Sequence, residues 1–236
     1  MTLDEMVTAL REAHGDALRA VVLYGSAAAG AQVARRSDYN LLVLAERLPL
    51  EALERVARHT AAWLQAGNPP PLTMTSAEWR GSADIFPMEY ADVLATHQVL
   101  FGALPTEGIT VTPKELRLQV EQEAMGKLLR LRRAVEATGG AAERELELLA
   151  ESLSSFLTIF RSVLRLDGQE PPRDPEQVIG ETARRAGFDP YPFARALQYR
   201  RGDDTAGEGE ARTLLAGYLA GAEALVAYVN RHPVVL

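Results

Sequence analysis

The chain has 236 residues, 47% of them hydrophobic, enough to bury a core in one large domain or two small ones. Its net charge is −7, and neither half is basic: residues 1–112 carry 13 acidic against 8 basic side chains, and residues 113–236 carry 19 against 17. That balance disfavours a nucleic-acid partner held mainly by phosphate contacts. The absence of cysteine excludes disulfides and thiolate metal sites.

The first sixteen residues form a charged amphipathic segment without the apolar stretch of a signal peptide. No apolar run approaches membrane-spanning length, so the expectation is a soluble, cytoplasmic protein with no membrane partner. Thr2 and Glu5 have capping-box spacing. Leu3, Met6, Val7, Leu10 and Leu18 fit one helical face, which predicts a helix over 3–18. Residues 20–25 then have the apolar, β-branched character of a buried strand. Gly25-Ser26 opens a short Ala-rich turn that ends at Gly30, and 39–45 is a second strand. Over 50–66, Leu50, Leu53, Val56, Ala57, Ala61 and Leu64 recur at helical spacing until Gly67 and three successive prolines.

Residues 72–75 make a third strand candidate, and Ser76 is placed to cap a one-turn helix through Trp79. The segment 88–93 (MEYADV) is predicted as a further strand with Pro87 at its start, and 99–101 as a short last one. Residues 102–112, with two glycines and a proline, suggest a boundary between an α/β domain (1–108) and a helical bundle domain (109–236). Thr112, Pro113 and Glu115 signal a helix start. Helices are predicted over 113–138, 141–166, 175–186, 190–200 and 209–230, with a polar loop at 201–209.

Chemistry concentrates in residues 20–45 (AVVLYGSAAAGAQVARRSDYNLLVLA). Gly25, lacking a Cβ, lets backbone amides approach a phosphate, and Ser26 adds a hydroxyl donor. Residues 38 and 40 alternate along a strand onto one face, so Asp38 and Asn40 point at one place. Strand, Gly-Ser, ten residues and then Ser-Asp-x-Asn-Leu-Leu-Val resembles the nucleotidyltransferase superfamily related to DNA polymerase beta. The nearest look is to aminoglycoside and minimal nucleotidyltransferases with a helical second domain.

The resemblance implies an α/β (α+β) domain with a mixed sheet followed by an α-helical bundle. It implies transfer of a nucleoside monophosphate from a nucleoside triphosphate, ATP foremost, with Mg²⁺ or Mn²⁺. The acceptor would be a hydroxyl of a small molecule or a protein. Gly25 and Ser26 would grip the triphosphate. Asp38 would hold the metal, and Asn40 stands where the family has a second acid. Glu89 is the candidate third acid, as metal ligand or base, with Asp84 a weaker substitute. Asn40 keeps an oxygen ligand but removes a full charge beside a divalent ion, worth several kcal/mol in order of magnitude.

Arg35 and Arg36 precede Ser37-Asp38, where a triphosphate could meet them; solvated loop arginines are the plainer alternative. Lys127, Arg130 and Arg133 form a basic stripe, more often a solvated face, and Arg161 falls among apolar neighbours. The four histidines show no metal spacing, Asp203-Asp204 lacks the further oxygens of a calcium site, and the tyrosines of the helical half fit packing. Two alternatives stay open. One is a catalytically degenerate nucleotide-binding or partner-binding module of the same fold. The other is an unrelated fold in which Gly-Ser is only a tight turn. A homodimer is compatible with the sequence.

Overall fold

The computed structural model describes residues 1–25, 27–28, 39–202 and 208–233. The chain divides into two compact units, Met1–Val111 and Thr112–Leu236. Among the described residues no helix is long and apolar enough to cross a membrane.

In the first unit, α1 (Leu3–His14) starts in the expected capping box: the Thr2 hydroxyl accepts from Glu5 N–H, and Glu5 accepts from Thr2 N–H at 2.7 Å. It ends four residues earlier than predicted. Gly15 takes φ 53°, a 3-10 turn follows, and Leu18 opens the first strand rather than closing the helix. The strands are β1 (Leu18–Tyr24), β2 (Asn40–Ala45), β3 (Leu72–Thr75) and β4 (His97–Gly102). Between them lie α2 (Leu50–Gln65), α3 (Ser76–Gly81) and α4 (Pro87–Ala95).

The sheet order is β3-β2-β1-β4, with β1 antiparallel to both neighbours and β2 parallel to β3. The sheet is therefore mixed. The central pair β1 and β2 is apolar on both faces, and alternation divides its side chains between two cores. Val21, Leu23, Leu41 and Val43 pack with Met6, Leu10 and Trp63 from the helices on one side. Ala20, Val22, Leu42 and Leu44 pack with Met74, Trp79, Tyr90 and Val93 on the other.

Residues 88–93, predicted as a strand, are helix α4. A strand would have put Asp92 on the same face as Met88 and Tyr90, sending a carboxylate into the core. As a helix with Pro87 in its first turn, the segment buries Pro87, Tyr90 and Val93 at three-residue intervals and leaves Glu89 and Asp92 off that face. Tyr90 stacks on Trp79 with ring centres 4.1 Å apart and donates its hydroxyl to Trp79 O at 2.6 Å. The cap of α3 is Thr75, not Ser76; its hydroxyl accepts from Glu78 N–H.

Helix α2 turns an unexpected face inward. It buries Ala52 and Trp63, with Val56 half-buried, while Leu50, Leu53 and Leu64 remain 66%, 41% and 46% exposed. The indole decides this. Trp63 fills the core, and its Nε1–H donates to Pro69 O at 2.7 Å.

The second unit is helical: α5 (Pro113–Thr138), α6 (Ala142–Leu166), α7 (Pro175–Ala186), α8 (Tyr191–Arg201) and α9 (Glu208–Arg231). Helix α6 packs against the other four, and Phe156, Phe160, Phe193 and Tyr218 interlock at its centre. Gly221 admits this packing, since a Cβ there would stand 2.6 Å from the Phe193 ring. Tyr228 does more than pack. Its hydroxyl donates to Asp167 at 2.8 Å, and His232 Nε2 lies 3.0 Å from the same carboxylate.

Two consequences can be measured. Gly102 has φ +71°, and a Cβ there would fall 1.8 Å from Arg19 O of the neighbouring strand. Gly102→Ala is expected to cost at least about 2 kcal/mol, read as a lowered denaturation midpoint. His14 is buried, neither ring nitrogen has a hydrogen-bond partner among the described residues, and burial and then Arg55 hold its pKa below the ordinary value. The unfolded chain binds the proton more readily. Stability is therefore complete above about pH 6.5 and falls as the pH drops below it. His14→Leu is expected to flatten that slope in melts between about pH 5 and 7.5.

Candidate functional site

The site is built where β1 and β2 end together. Tyr24, the last residue of β1, stands opposite Asn40 on one side and His97 on the other. Directly opposed residues share one face of a sheet. This face is the one covered by α4, because Tyr24 packs on the cluster that holds Tyr90 and Val93. Glu89 and Asp92, three residues apart on α4, are neighbours on its surface.

Electrostatics tie the two elements together. Burial first, then the negative charges of Glu89 and Asp92, push the Tyr24 phenol up to about 12. Tyr24 thus remains a neutral O–H near two carboxylates. Gly25 follows in the left-handed region at φ +76°, and a Cβ on it would come within 3.3 Å of the Asn40 amide nitrogen. The turn after β1 and the first side chain of β2 therefore lie close together, at a point where a larger residue would press on Asn40.

Two further contacts hold this end of the sheet in place. Asn68, buried in the turn after α2, accepts from Tyr39 N–H at 3.0 Å, which fixes the backbone one residue before Asn40. The Tyr39 ring stacks near Trp63, with centres 6.1 Å apart. His97 Nδ1 lies 2.8 Å from Val93 O. A carbonyl only accepts, so Nδ1 carries the hydrogen in this contact.

Of the residues singled out from the sequence, Gly25 and Asn40 are brought close together, and Glu89 acts on Tyr24 at the same end of the sheet. It does so from helix α4, not from the predicted strand. Asp84 acts on Tyr90 instead, whose phenol burial and then Asp84 raise to about 12. Ser26, Arg35, Arg36 and Asp38 lie outside the described residues, as does the pair Asp203-Asp204. On α5, Arg130 and Arg133 are exposed, and Arg130 lies 3.8 Å from Glu123; Arg161 is half-buried on α6.

Sequence reasoning missed Tyr24, Asn68 and His97 as parts of this end of the sheet, and it gave Asp92 no role. The i, i+3 relation of Glu89 to Asp92 carries meaning only once 88–93 is a helix. Asn68, between a glycine and a proline, looks like any turn residue. Among the described residues no three His, Asp or Glu side chains converge to hold a metal ion. Two carboxylates within electrostatic reach of Tyr24, and the Asn40 amide opposite it, are oxygen donors of the hard type that suits Mg²⁺.

No protein-family model and no curated protein matches the sequence. The structure is similar to the crystal structure of spectinomycin adenyltransferase AAD(9) from Enterococcus faecialis with ATP and spectinomycin. The superposition has a TM-score of 0.62 at 12% sequence identity and covers 98% of this chain and 100% of that one. An identity so low speaks for the fold alone. The chain shares the fold of that structure, an α/β domain with a four-stranded mixed sheet followed by a helical domain.

Proposed function

We propose that this protein transfers a nucleoside monophosphate from a nucleoside triphosphate, ATP foremost, to a hydroxyl of a small molecule. The observation that carries the proposal is the convergence of Gly25, Asn40, Glu89 and Asp92 at one end of a sheet. The fold neighbour was solved with ATP and spectinomycin, which supports ATP as donor and a small molecule of that kind as acceptor. A protein acceptor has no comparable support.

In this reading Gly25 lets phosphate oxygens approach the backbone at the end of β1, and Ser26, Arg35 and Arg36 supply further donors. Asp38 and Asn40 would hold Mg²⁺ or Mn²⁺, whose charge when bound would offset that developing on the α-phosphate. Glu89 takes the proton of the acceptor hydroxyl as its oxygen bonds to the α-phosphorus. The bond from that phosphorus to the bridging oxygen breaks, and pyrophosphate leaves. Asp92 lies one turn along α4 from Glu89. Tyr24, still protonated, is a hydrogen-bond donor at the floor of the site.

The test is incubation with ATP, Mg²⁺ and a panel of hydroxylated small molecules that includes spectinomycin. Pyrophosphate release and the product mass are followed. Transfer of an AMP group is the expected result. No release with any acceptor, together with no triphosphate binding by calorimetry, sinks the reading. Binding without transfer assigns the degenerate module instead. Glu89→Gln is expected to lower turnover by about 10²- to 10⁴-fold with triphosphate binding retained. Asn40→Asp restores a carboxylate beside the ion and is expected to raise turnover by on the order of tenfold or more. An Asp38→Ala variant that changes neither binding nor turnover would place the site elsewhere.

A further inference from the structure

Helix α2 carries an apolar stripe that nothing in its own unit covers. Leu50, Leu53, Ala57, Ala61 and Leu64 are all exposed. At 3.6 residues per turn they fall within about 40° of Ala57 around the helix. The buried side of the helix, marked by Ala52 and Trp63, lies well away from them. The intervals along the stripe are three, four, four and three residues, so the pattern is the same in both directions from Ala57. A surface with that symmetry matches itself when one copy is turned end over end. Leucines at 50 then meet leucines at 64, and the two Ala57 residues meet at the centre, where small side chains let the backbones approach.

The charges choose the same orientation. Glu54 and Arg58 lie on one flank of the stripe, and Val56 and Thr60 on the other. In an antiparallel pair related by a two-fold axis, like flanks face each other. Glu54 of each copy then lies within about one helical turn of Arg58 of the other, giving two opposite-charge contacts. A parallel pair would set the charged flank against Val56 and Thr60. Glu54 and Arg58 are both exposed, and neither makes a hydrogen bond or ion pair among the described residues.

We propose that α2 is the homodimer surface of this protein, two copies packing antiparallel about Ala57. Helix α2 has 16 residues and is about 24 Å long, which puts the pair at the small end of specific interfaces. A dimer held by so small a surface is reversible. This assignment is independent of the chemistry at the end of β1.

The test uses the full chain in sedimentation equilibrium from about 1 to 200 µM, a range wide enough to register a weak association. A reversible dimer is expected, weakened more than about tenfold by Leu64→Glu or by Arg58→Glu. The double variant Glu54→Arg/Arg58→Glu exchanges the charges and restores it. Because the chain has no cysteine, Ala57→Cys provides a single coupling point. A short bis-maleimide is expected to join two copies of Ala57→Cys. It should leave Leu50→Cys alone uncoupled, since its two sites stand about 21 Å apart, yet join Leu50→Cys to Leu64→Cys in a mixture. A monomer throughout that range overturns the proposal. So does a dimer that Leu64→Glu leaves unchanged and whose Ala57→Cys variant does not couple.

Discussion

The antiparallel pair of β1 and β2 is the constraint on which the first unit depends. From Ala20 to Leu23 and from Leu41 to Ala45 both strands are buried on both faces. Their backbone groups can be satisfied only by the sheet, so the register of Tyr24 against Asn40 follows from the ladder rather than from any side-chain preference. A slip by one residue would exchange the two cores, sending Val21 and Val43 toward Trp79 and Ala20 and Leu44 toward Trp63. That cost fixes the end of the sheet, and the end of the sheet is where Gly25 meets Asn40.

The proposed chemistry depends on α4 as much as on the strands. A carboxylate borne by a helix lying on the sheet face reaches the end of β1 from the side, with a second acid one turn away. This differs from the arrangement in which an edge strand alternates one acid in and the next residue out. The helix is anchored by the Trp79–Tyr90 stack and by the Tyr90 hydroxyl on Trp79 O, both away from Glu89. Packing and the proposed proton transfer thus fall on different faces of one short element. The asparagine at position 40 fits the same division, since its amide can contact the Gly25 turn without adding a third negative charge to the pair on α4.

The second unit shows how far local signals reach when nothing competes with them. Thr112 and Glu115 cap α5 reciprocally, Asp174 caps α7, and Gly139 and Gly187 adopt the left-handed conformation just past helix ends. Helix starts and stops of this kind depend on a few adjacent residues, so all five helices stand within about two residues of their predicted bounds. The first unit was less legible at two places. Leu18 matched a helical face by spacing, but Gly15 had already ended the helix. The segment 88–93 carried β-compatible residues, and its helix is decided by what α4 must bury against Trp79.

What the sequence determined by itself was the inventory: two apolar segments flanking a Gly-Ser turn, an acid and an asparagine two residues apart, and a helical second half with its caps. These are local facts of spacing, turn chemistry and hydrophobic period. Tertiary structure alone decided which side of each element would be buried. Trp63, the largest side chain of α2, turned that helix so that the leucines at 50, 53 and 64 face outward. The two-sided burial of the central strands required a helix over 87–95, which carried Glu89 and Asp92 to the end of β1. Periodicity names a face but not its partner, and only the competition among large side chains for one core assigns it.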